Sequence, residues 1–552
     1  MGRTDEDGLD PSGEPLLQGP PSLFAADRPS RDKIWAFLWA ISVALVVGGA
    51  VYAGVHRNPD FAKLIAPSYL SDAEHCPAVG PHGRRLLLKH GEDAQPTFFL
   101  QAAGLCTGVS ILGGIGLALL SLQLFKRSAM AMVHAAVGIQ IAIPAAIALA
   151  AFLSGAPAAG VPFALMSAAL GLTMWLYRSQ LALVARLLSI SVHALVDQPS
   201  VIVAALLLQL LGLLVLVPMG GMMLLAFTNG TVVPNPGRAA VEDDGTCAGA
   251  DGKAVACCSW QVDSWVPGYL AYAGMVATWT TLLVFTIKMF TIAGATAQWY
   301  FAPAGMGAPK GATLRSARQA LGASFGSLCF ASWLLTLIKM ARATLDKIRQ
   351  DNEGGVCALI LTSCLDFLYA MFEAVTKFGV VRAAITGEAF MDACHGVVGL
   401  LSRNALDTVG VWFLPGFILQ ASAAMMAVAW GVLAYAGSTA LWGGGHAASA
   451  SGVVVGLLSG VFALITLAFL NGVLLNMVDA TYVAWAMDRD AAAVTRSDVN
   501  DVFLAPGAPW HKAPGAIVEQ PDAAYAYGAE AGLAGAGGPA APQPYPSPAY
   551  RG

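Results

Sequence analysis

Long segments without charged residues constrain this chain more than any other feature of its sequence. A helix crosses the roughly 30 Å hydrocarbon core of a bilayer with about 20 apolar residues, and ten segments reach that length. The predicted spans cover residues 34–55, 97–125, 129–153, 157–177, 199–227, 266–297, 320–340, 356–381, 407–436 and 452–485. Because these segments are continuously apolar instead of alternating, we predict an all-α polytopic membrane protein, a bundle of about ten transmembrane helices.

The composition excludes the main soluble classes of protein. Only 12% of the 552 residues are charged, whereas soluble domains carry about 25%. Of the 64 charged residues, 22 lie in the first 33 and the last 65 positions, so the middle of the chain is poorer still. A soluble enzyme and a nucleic-acid-binding protein with a basic surface are therefore excluded. No P-loop, Rossmann fingerprint or zinc-protease motif occurs, and we predict no enzyme activity, no cofactor and no metal.

Both ends of the chain are predicted to be disordered tails. Residues 1–33 are acidic and rich in turn formers, and residues 488–552 are rich in Ala, Gly and Pro; such segments bury too little apolar surface to offset their ordering entropy. Lys and Arg near the span ends favour cytosolic tails, which makes residues 56–96 and 228–265 extracellular loops. We expect the first span to be an anchor and not a cleaved leader. We expect the plasma membrane as its location, with an organellar membrane as the alternative.

The two long loops contain the residues that suggest an oxidising, extracellular side. Asn229 begins an Asn-Gly-Thr glycosylation sequon, close to the end of the fifth span. Four cysteines, Cys76, Cys247, Cys257 and Cys258, lie in the same two loops, where disulfides can form. Because Cys257 and Cys258 are neighbours, we expect Cys76 to pair with one of them and Cys247 with the other. Free thiols in flexible loops are the alternative.

Ionisable residues within the spans are candidates for function, because each costs about 2.5–3.5 kcal/mol on insertion scales. They are Lys288, Lys339, Asp366, Glu373, Lys377 and Asp479. Asp366, Tyr369 and Glu373 are three or four residues apart, which places two acids and an aromatic ring on one helical face. An organic cation binds to aromatic faces backed by negative charge. We therefore predict a substrate site at these three residues, to which Trp279 and Trp412 are candidate additions.

A purely structural role for these charges is the alternative. In that interpretation Glu373 pairs with Lys377 one turn later on the same helix. Asp366 then neutralises Lys288 or Lys339 across the bundle.

Two spans also contain residues that weaken a helix. Pro218, Gly220 and Gly221 lie in the fifth span, and Pro415 and Gly416 lie in the ninth. Transporter sites often use interrupted helices, so these five residues are candidate hinges.

The second half of the chain resembles the choline transporter-like family, solute carrier family 44. The similarity lies in the small-residue stretch 288–300 that ends in Gln-Trp-Tyr, and in Leu314–Arg318, Gly326–Leu328 and Ala384–Phe390. Single positions that resemble the family are Glu373, Lys377, Arg403, Asn404, Asp479 and Asp488. The chain departs from the family at residues 380–384, which read Val-Val-Arg-Ala-Ala where the family commonly has Asn-Arg-Asn-Ala-Tyr.

The resemblance implies ten spans, two cytosolic termini and transport of choline or the related amine ethanolamine. We therefore predict a transporter whose partners are a small organic cation and the lipid bilayer, with no nucleic acid. It would work by alternating access, driven by the membrane potential as a uniporter. The alternatives are a non-transporting membrane scaffold or lipid-handling protein, and a transporter or channel for a different solute.

Overall fold

The helices of the protein are long and follow one another closely. The structure, a computed structural model, describes residues 28–65, 70, 96–176, 178–241, 247–249, 253–302, 307–351, 356–403, 405–441, 446–491 and 493–504. The α-helices in these ranges are α1 (Lys33–Val55), α2 (Pro96–Leu153), α3 (Pro157–Leu176), α4 (Arg178–Asp197), α5 (Ser200–Ala226), α6 (Val266–Tyr300), α7 (Ala312–Leu321), α8 (Phe325–Asp351), α9 (Val356–Thr386), α10 (Phe390–Arg403), α11 (Ala405–Leu441), α12 (His446–Asp490) and α13 (Ser497–Leu504). A short 3₁₀ helix, Pro59–Ile65, follows α1.

Two small antiparallel sheets lie between α5 and α6. Their strands are β1 (Gly230–Pro234), β2 (Arg238–Val241), β3 (Cys247–Gly249), β4 (Ala254–Val255) and β5 (Cys258–Val262). β1 pairs with β5, with Gly230 opposite Val262, while the other sheet has the order β2-β3-β4. The second predicted loop is therefore a compact β structure.

Eight of the described helices are long and apolar enough to cross a membrane, namely α1, α2, α3, α5, α6, α8, α11 and α12. This confirms the prediction of an all-α polytopic protein, and the chain is an integral multi-pass membrane protein. Two further features bring these helices into line with the ten predicted segments. α2 contains the second and third segments, and α9 corresponds to the eighth, which carries three ionisable residues.

α2 is bent at Ser128, where the backbone leaves the helical region (φ −146°, ψ 47°). Gly113, before the bend, packs against the ring of Trp430 on α11. Gln140, after the bend, donates a hydrogen bond of 3.4 Å to the carbonyl of Phe417 on the same helix. Gly113 and Gln140 would be about 40 Å apart on a straight helix, whereas Trp430 and Phe417 are only about 20 Å apart along α11. The two halves of α2 are therefore not collinear and act as separate spans.

Glycines allow α11 and α12 to approach each other closely. A Cβ atom added at Gly431 would lie 2.9 Å from the carbonyl oxygen of Gly456, and one added at Gly456 would lie 2.9 Å from the carbonyl oxygen of Gly431. Small residues at such crossings replace the hydrophobic driving force that is missing between helices in lipid. This contact holds the two longest spans of the second half together.

The inner margins of both predicted tails are ordered, which their composition does not predict. Residues 28–32 lead directly into α1, and α13 buries Val499 and Phe503. The Phe503 ring stacks on Trp485, with 4.0 Å between the ring centroids. The prediction of disorder is therefore wrong at the inner margins of both tails, because tertiary contacts supply the burial that the segments lack alone. The remainder of the predicted tails, 1–27 and 505–552, lies outside the described residues.

The candidate hinges lie within continuous helices. α5 runs through Pro218, Gly220 and Gly221, and α11 runs through Pro415 and Gly416. Neither helix is interrupted at these positions in this conformation, so their role as hinges stays a prediction about movement.

Candidate functional site

The two predicted substrate acids on α9 form ion pairs with cations on α8. Glu373 Oε1 lies 2.9 Å from Lys339 Nζ, and its Oε2 lies 3.2 Å from Arg342 Nη1. The same arginine reaches Asp366, with 3.9 Å between Nε and Oδ1. Arg342 therefore bridges both acids. Tyr369, which lies between the two acids in the sequence, is half-buried. We call Lys339, Arg342, Asp366 and Glu373 the α8–α9 ion cluster.

The structural alternative predicted ion pairs for these acids, but it assigned the wrong partners to them. Glu373 does not pair with Lys377, and Asp366 is bridged by Arg342 and not by Lys288 or Lys339. The sequence interpretation missed Arg342 because it ended the seventh span at residue 340, whereas α8 continues to Asp351. The signal was present in the sequence, since Arg342 is three residues beyond Lys339 and shares its helical face.

Lys288 is neutralised by no acid among the described residues, and polar and aromatic groups surround it instead. Its Nζ donates a hydrogen bond of 3.1 Å to Gln209 Oε1 on α5. The rings of Phe285 and Phe469 each lie 5.9 Å from the ammonium group, a distance at which cation–π attraction operates. The Lys288 ammonium group is thus stabilised by a hydrogen bond and two aromatic rings where α5, α6 and α12 meet.

Trp279, one of the two tryptophans predicted to complete the substrate site, does not lie beside the acids. Trp279 is buried against α8, where its Nε1 donates hydrogen bonds of 3.1 Å to the Cys329 carbonyl and to Ser332 Oγ. Cys329 precedes Lys339 by ten residues, which is about 15 Å of helix. Trp279 therefore lies about three turns away from the ion cluster. Trp412 belongs to a stretch of α11 whose side chains lie outside the described residues.

A second ion pair lies deeper in the bundle and joins α9 to α12. Lys377 Nζ contacts Oδ2 of Asp479, whose side chain is only 3% exposed, compared with 17% for the lysine. Lys377 is nine residues before the end of α9, or about 14 Å along the helix. The pair is thus close to the middle of a bilayer-thick bundle, whereas Glu373 is one turn further from that end.

The helix ends near both described termini are bound together; we call this region the terminal end. α9 finishes at Thr386, and Gly387 follows with a positive φ of 71°, the left-handed conformation that commonly terminates a helix. Arg28 then donates hydrogen bonds to the last carbonyls of α9, at 3.2, 2.8 and 3.3 Å for Ala383, Ala384 and Ile385. Burial lowers the pKa of the Arg28 guanidinium to about 10, which still leaves it protonated at neutral pH.

Asp32 connects the segment before α1 to two more helices. Its Oδ2 accepts a hydrogen bond of 2.6 Å from Ser327 Oγ on α8 and one of 3.4 Å from the backbone N–H of Phe390, the first residue of α10. Arg31 adds a more exposed ion pair with Asp392, at 3.8 Å. Residues 28–32 thus fasten α8, α9 and α10 to the start of α1.

The C-terminal segment fastens α6 to the same end. Arg496 lies 3.7 Å above the ring of Trp299 and donates a hydrogen bond of 2.8 Å to its carbonyl. The indole of Trp299 donates to Asp197 Oδ2 of α4 at 3.2 Å. Asp488, at the end of α12, accepts hydrogen bonds from Tyr300 and Thr495. The terminal end is therefore closed by contacts between the two flanking segments and six helices, five of which contribute side chains and one, α9, backbone carbonyls.

The opposite end carries the β structure and a disulfide. Cys247 and Cys257 are joined, with 5.2 Å between their Cα atoms, and Cys258 is disulfide-bonded as well. This confirms the prediction of disulfide bonding in the second loop. Cys76 lies outside the described residues, so its pairing stays a prediction.

Asn229 is placed where a glycan does not fit. The residue is 1% exposed, and its Nδ2 donates hydrogen bonds to the carbonyls of Ala53, Leu225 and Ala226 at 3.1–3.3 Å. N-glycosylation attaches a bulky sugar to this nitrogen and requires it at the surface. The expectation that Asn229 is modified therefore conflicts with the structure, because the sequon is folded into the junction of α1 and α5.

Comparisons with known proteins point to one family. Residues 161–490, more than half of the chain, match the family model described as plasma-membrane choline transporter. A CTL-like protein of Dictyostelium discoideum is 28% identical over 152 residues, which are 26% of this chain and 27% of that protein. Protein PNS1 of Cryptococcus neoformans is 28% identical over 185 residues, 32% of this chain and 31% of that protein. Choline transporter-like protein 1 of Caenorhabditis elegans is 26% identical over 164 residues, 28% of this chain and 21% of that protein. The aligned part of the chain thus spans between a fifth and a third of each of these relatives.

Proposed function

Because the chain belongs to the plasma-membrane choline transporter family, we propose that it carries choline or a related small amine across the membrane by alternating access. The observation that carries this proposal is the matched segment itself, since it contains α8, α9 and α12 with every intramembrane acid described above. Acids within the membrane are costly and mark substrate and ion pathways, and their negative charge attracts a cationic solute.

The closed terminal end supports an alternating-access cycle. A transporter of this kind exposes its site to one side at a time, so one end of the bundle must close while the other opens. The hydrogen bonds of Arg28 and Asp32 join helices α1, α8, α9 and α10 at that end. In the proposed cycle these contacts form one of the two gates.

The disulfide supports an orientation. A Cys247–Cys257 bond is favoured in an oxidising compartment, such as the cell exterior. We therefore propose that the β structure faces outward, that both termini are cytosolic, and that the protein resides in the plasma membrane. The gate at the terminal end is then the cytosolic gate.

The α8–α9 ion cluster takes the outer part of the pathway in this proposal. Asp366 is twenty residues before the end of α9, about 30 Å from the terminal end, and Glu373 follows it two turns further in. A cation that enters from outside has to compete with Arg342 and Lys339 for these carboxylates. The cluster thus attracts and delays the solute before it reaches the bundle interior.

Uptake into proteoliposomes tests the proposal. One positive charge that moves through 100 mV gains about 2.3 kcal/mol, which corresponds to accumulation of about 50-fold. We expect radiolabelled choline to accumulate when an inside-negative potential is imposed, and to leak away when the potential is collapsed. Uptake by correctly folded protein that equals uptake by empty liposomes would refute choline transport.

The same preparation distinguishes a scaffold from a transporter for another amine. A protein that binds a solute gains thermal stability by RT ln(1 + [L]/Kd). Stabilisation by ethanolamine, betaine or a polyamine, without choline uptake, would redirect the substrate assignment. No stabilisation by any of them would favour the scaffold.

A further inference from the structure

Two buried acids on α12 have different surroundings. Asp488, at 2% exposure, accepts hydrogen bonds from Tyr300 Oη at 3.1 Å and from the N–H and hydroxyl of Thr495 at 2.9 and 3.0 Å. Asp479, at 3% exposure, has Lys377 as its one partner among the described residues. The first carboxylate is saturated by fixed neutral donors, as structural buried acids usually are. The second is balanced by a single ammonium group.

That ammonium is attached to a movable side chain. Lysine carries its charge on a flexible four-carbon stem, and Lys377 is more exposed than its partner, at 17%. Its flexible stem lets the ammonium move away from Asp479, whose short side chain stays with α12. Withdrawal would leave a buried carboxylate that requires another cation, because an unpaired charge in a low-dielectric interior is costly.

Buried aromatic and amide side chains lie near Asp479 along α12. Phe378 follows Lys377 on α9, and its ring centroid lies 6.3 Å from that of Tyr482. Tyr482 is three residues after Asp479 and Asn476 is three residues before it, so all three share a face of α12. All three are buried. An acid with an aromatic ring on the same helix face offers the chemistry that recognises an organic ammonium ion.

We propose that Asp479 is the carboxylate that receives the cationic head of the substrate, and that the Lys377 ammonium occupies it in the empty transporter. This inference rests on the proposed function. The ligand class is a small amine with one positive charge, either a primary ammonium or a quaternary one. When it binds, one monovalent cation replaces another at Asp479; the displaced Lys377 ammonium stays in the protein, so the loaded carrier has one more positive charge than the empty one.

The exchange explains how an empty carrier could return without a coupled ion. In an alternating-access cycle the unloaded protein must move its site through the bilayer, and a bare carboxylate would oppose that step. Lys377 neutralises Asp479 during the return, and the substrate neutralises it during the loaded step. The site is therefore neutralised in both halves of the cycle.

A charge exchange between the two positions tests this assignment. The double variant Lys377→Asp/Asp479→Lys keeps a buried ion pair but moves the carboxylate to α9. We expect it to retain the thermal stability of the wild type and to lose choline uptake by about thirtyfold or more. Asn471→Ala is the matched control, since it removes another buried polar side chain of α12, one that donates a hydrogen bond of 2.6 Å to the Leu419 carbonyl; we expect lower thermal stability with the KM for choline within about twofold of the wild type.

The outcomes distinguish a failure of the proposed function from a failure of the Asp479 site alone. If the wild type takes up no choline or related amine, the proposed function fails and this site assignment fails with it. If the wild type transports and the exchanged variant transports with an unchanged KM, the pair is only structural and this inference alone is overturned. Should the exchanged variant not fold, Asp479→Glu and Asp479→Asn decide: uptake must persist in the first and be lost in the second, and equal uptake in both overturns the assignment.

Discussion

Replacement of Arg28 by alanine should release the gate at the terminal end. The guanidinium group binds three carbonyls at the end of α9 and lies 5.7 Å from the centroid of the Phe290 ring on α6. Two of its three hydrogen bonds are longer than 3.1 Å, and only the bond to Ala384, at 2.8 Å, has the short length of a charge-assisted bond. Among the described residues, Arg28 thus joins α9 and α6 through one strong hydrogen bond, two weaker ones and a ring contact.

The free energy lost in Arg28→Ala can be calculated from these contacts. A hydrogen bond to a charged group contributes about 1.5–3 kcal/mol, and a cation at a partly buried helix C-terminus contributes up to about 2 kcal/mol. These terms describe the same contacts and are not additive, so we take about 2 kcal/mol for the whole interaction, which is about a 30-fold change in an equilibrium constant. The population with an open terminal end should rise by that factor.

Two buried cysteines report on this change. Cys329 and Cys394 are free and buried, while Cys364 is free and exposed. The rate at which a membrane-permeant maleimide labels the two buried thiols, resolved by peptide mass spectrometry, should increase about 30-fold in Arg28→Ala, and labelling of Cys364 should not change. Arg31→Ala is the matched control, because its ion pair with Asp392 is long and about half exposed.

Equal labelling rates in Arg28→Ala and the wild type would refute the reasoning. Such a result would mean that the segment before α1 does not hold the terminal end closed. Equal acceleration by Arg31→Ala would also refute it, because the effect would then come from general loosening of the segment and not from the capped helix.

Two further predictions follow from buried contacts elsewhere in the bundle. Gly456→Val should lower the free energy of unfolding by about 1–3 kcal/mol, since any side chain there meets the backbone of Gly431; Gly472→Ala on the same helix meets nothing within 4 Å and should not lower the melting temperature in detergent. A Gly456→Val protein as stable as the wild type would show that α11 and α12 separate without cost. The full-length protein from a glycosylating host should migrate identically before and after endoglycosidase treatment, and a mobility shift that Asn229→Gln abolishes would contradict the buried position of Asn229.

The partners of the intramembrane charges could not be predicted from the sequence. The acids of α9 were identified from the sequence because a charge inside an apolar segment is visible locally. The sequence favoured Lys377 for Glu373, since residues four apart on a helix are neighbours. In the folded protein Glu373 instead pairs with Lys339 and Arg342, and Lys377 pairs with Asp479. The partners depend on which helices pack against each face of α9, and the sequence of α9 alone does not show which helices these are.

The closed terminal end has a similar explanation. Residues 28–33 contain no apolar pattern, and their composition predicts a disordered tail. Arg28 becomes ordered because α9 ends at Gly387 and leaves its last carbonyls unpaired beside it. Unsatisfied helix carbonyls require a donor, but the donor is 355 residues away in the chain, a distance that no local pattern bridges.

The sequence by itself determined that this chain is a multi-pass helical membrane protein, because the burial of apolar residues in lipid depends on the length and composition of each segment alone. A resemblance in the second half of the sequence was sufficient to indicate the family. Only the tertiary structure decided which cations neutralise the intramembrane acids, that Asn229 is buried, and that the segments before α1 and after α12 bind the helix ends on one side of the bundle. Each of these depends on a contact between residues far apart in the chain, whose free energy exists only after the helices have packed.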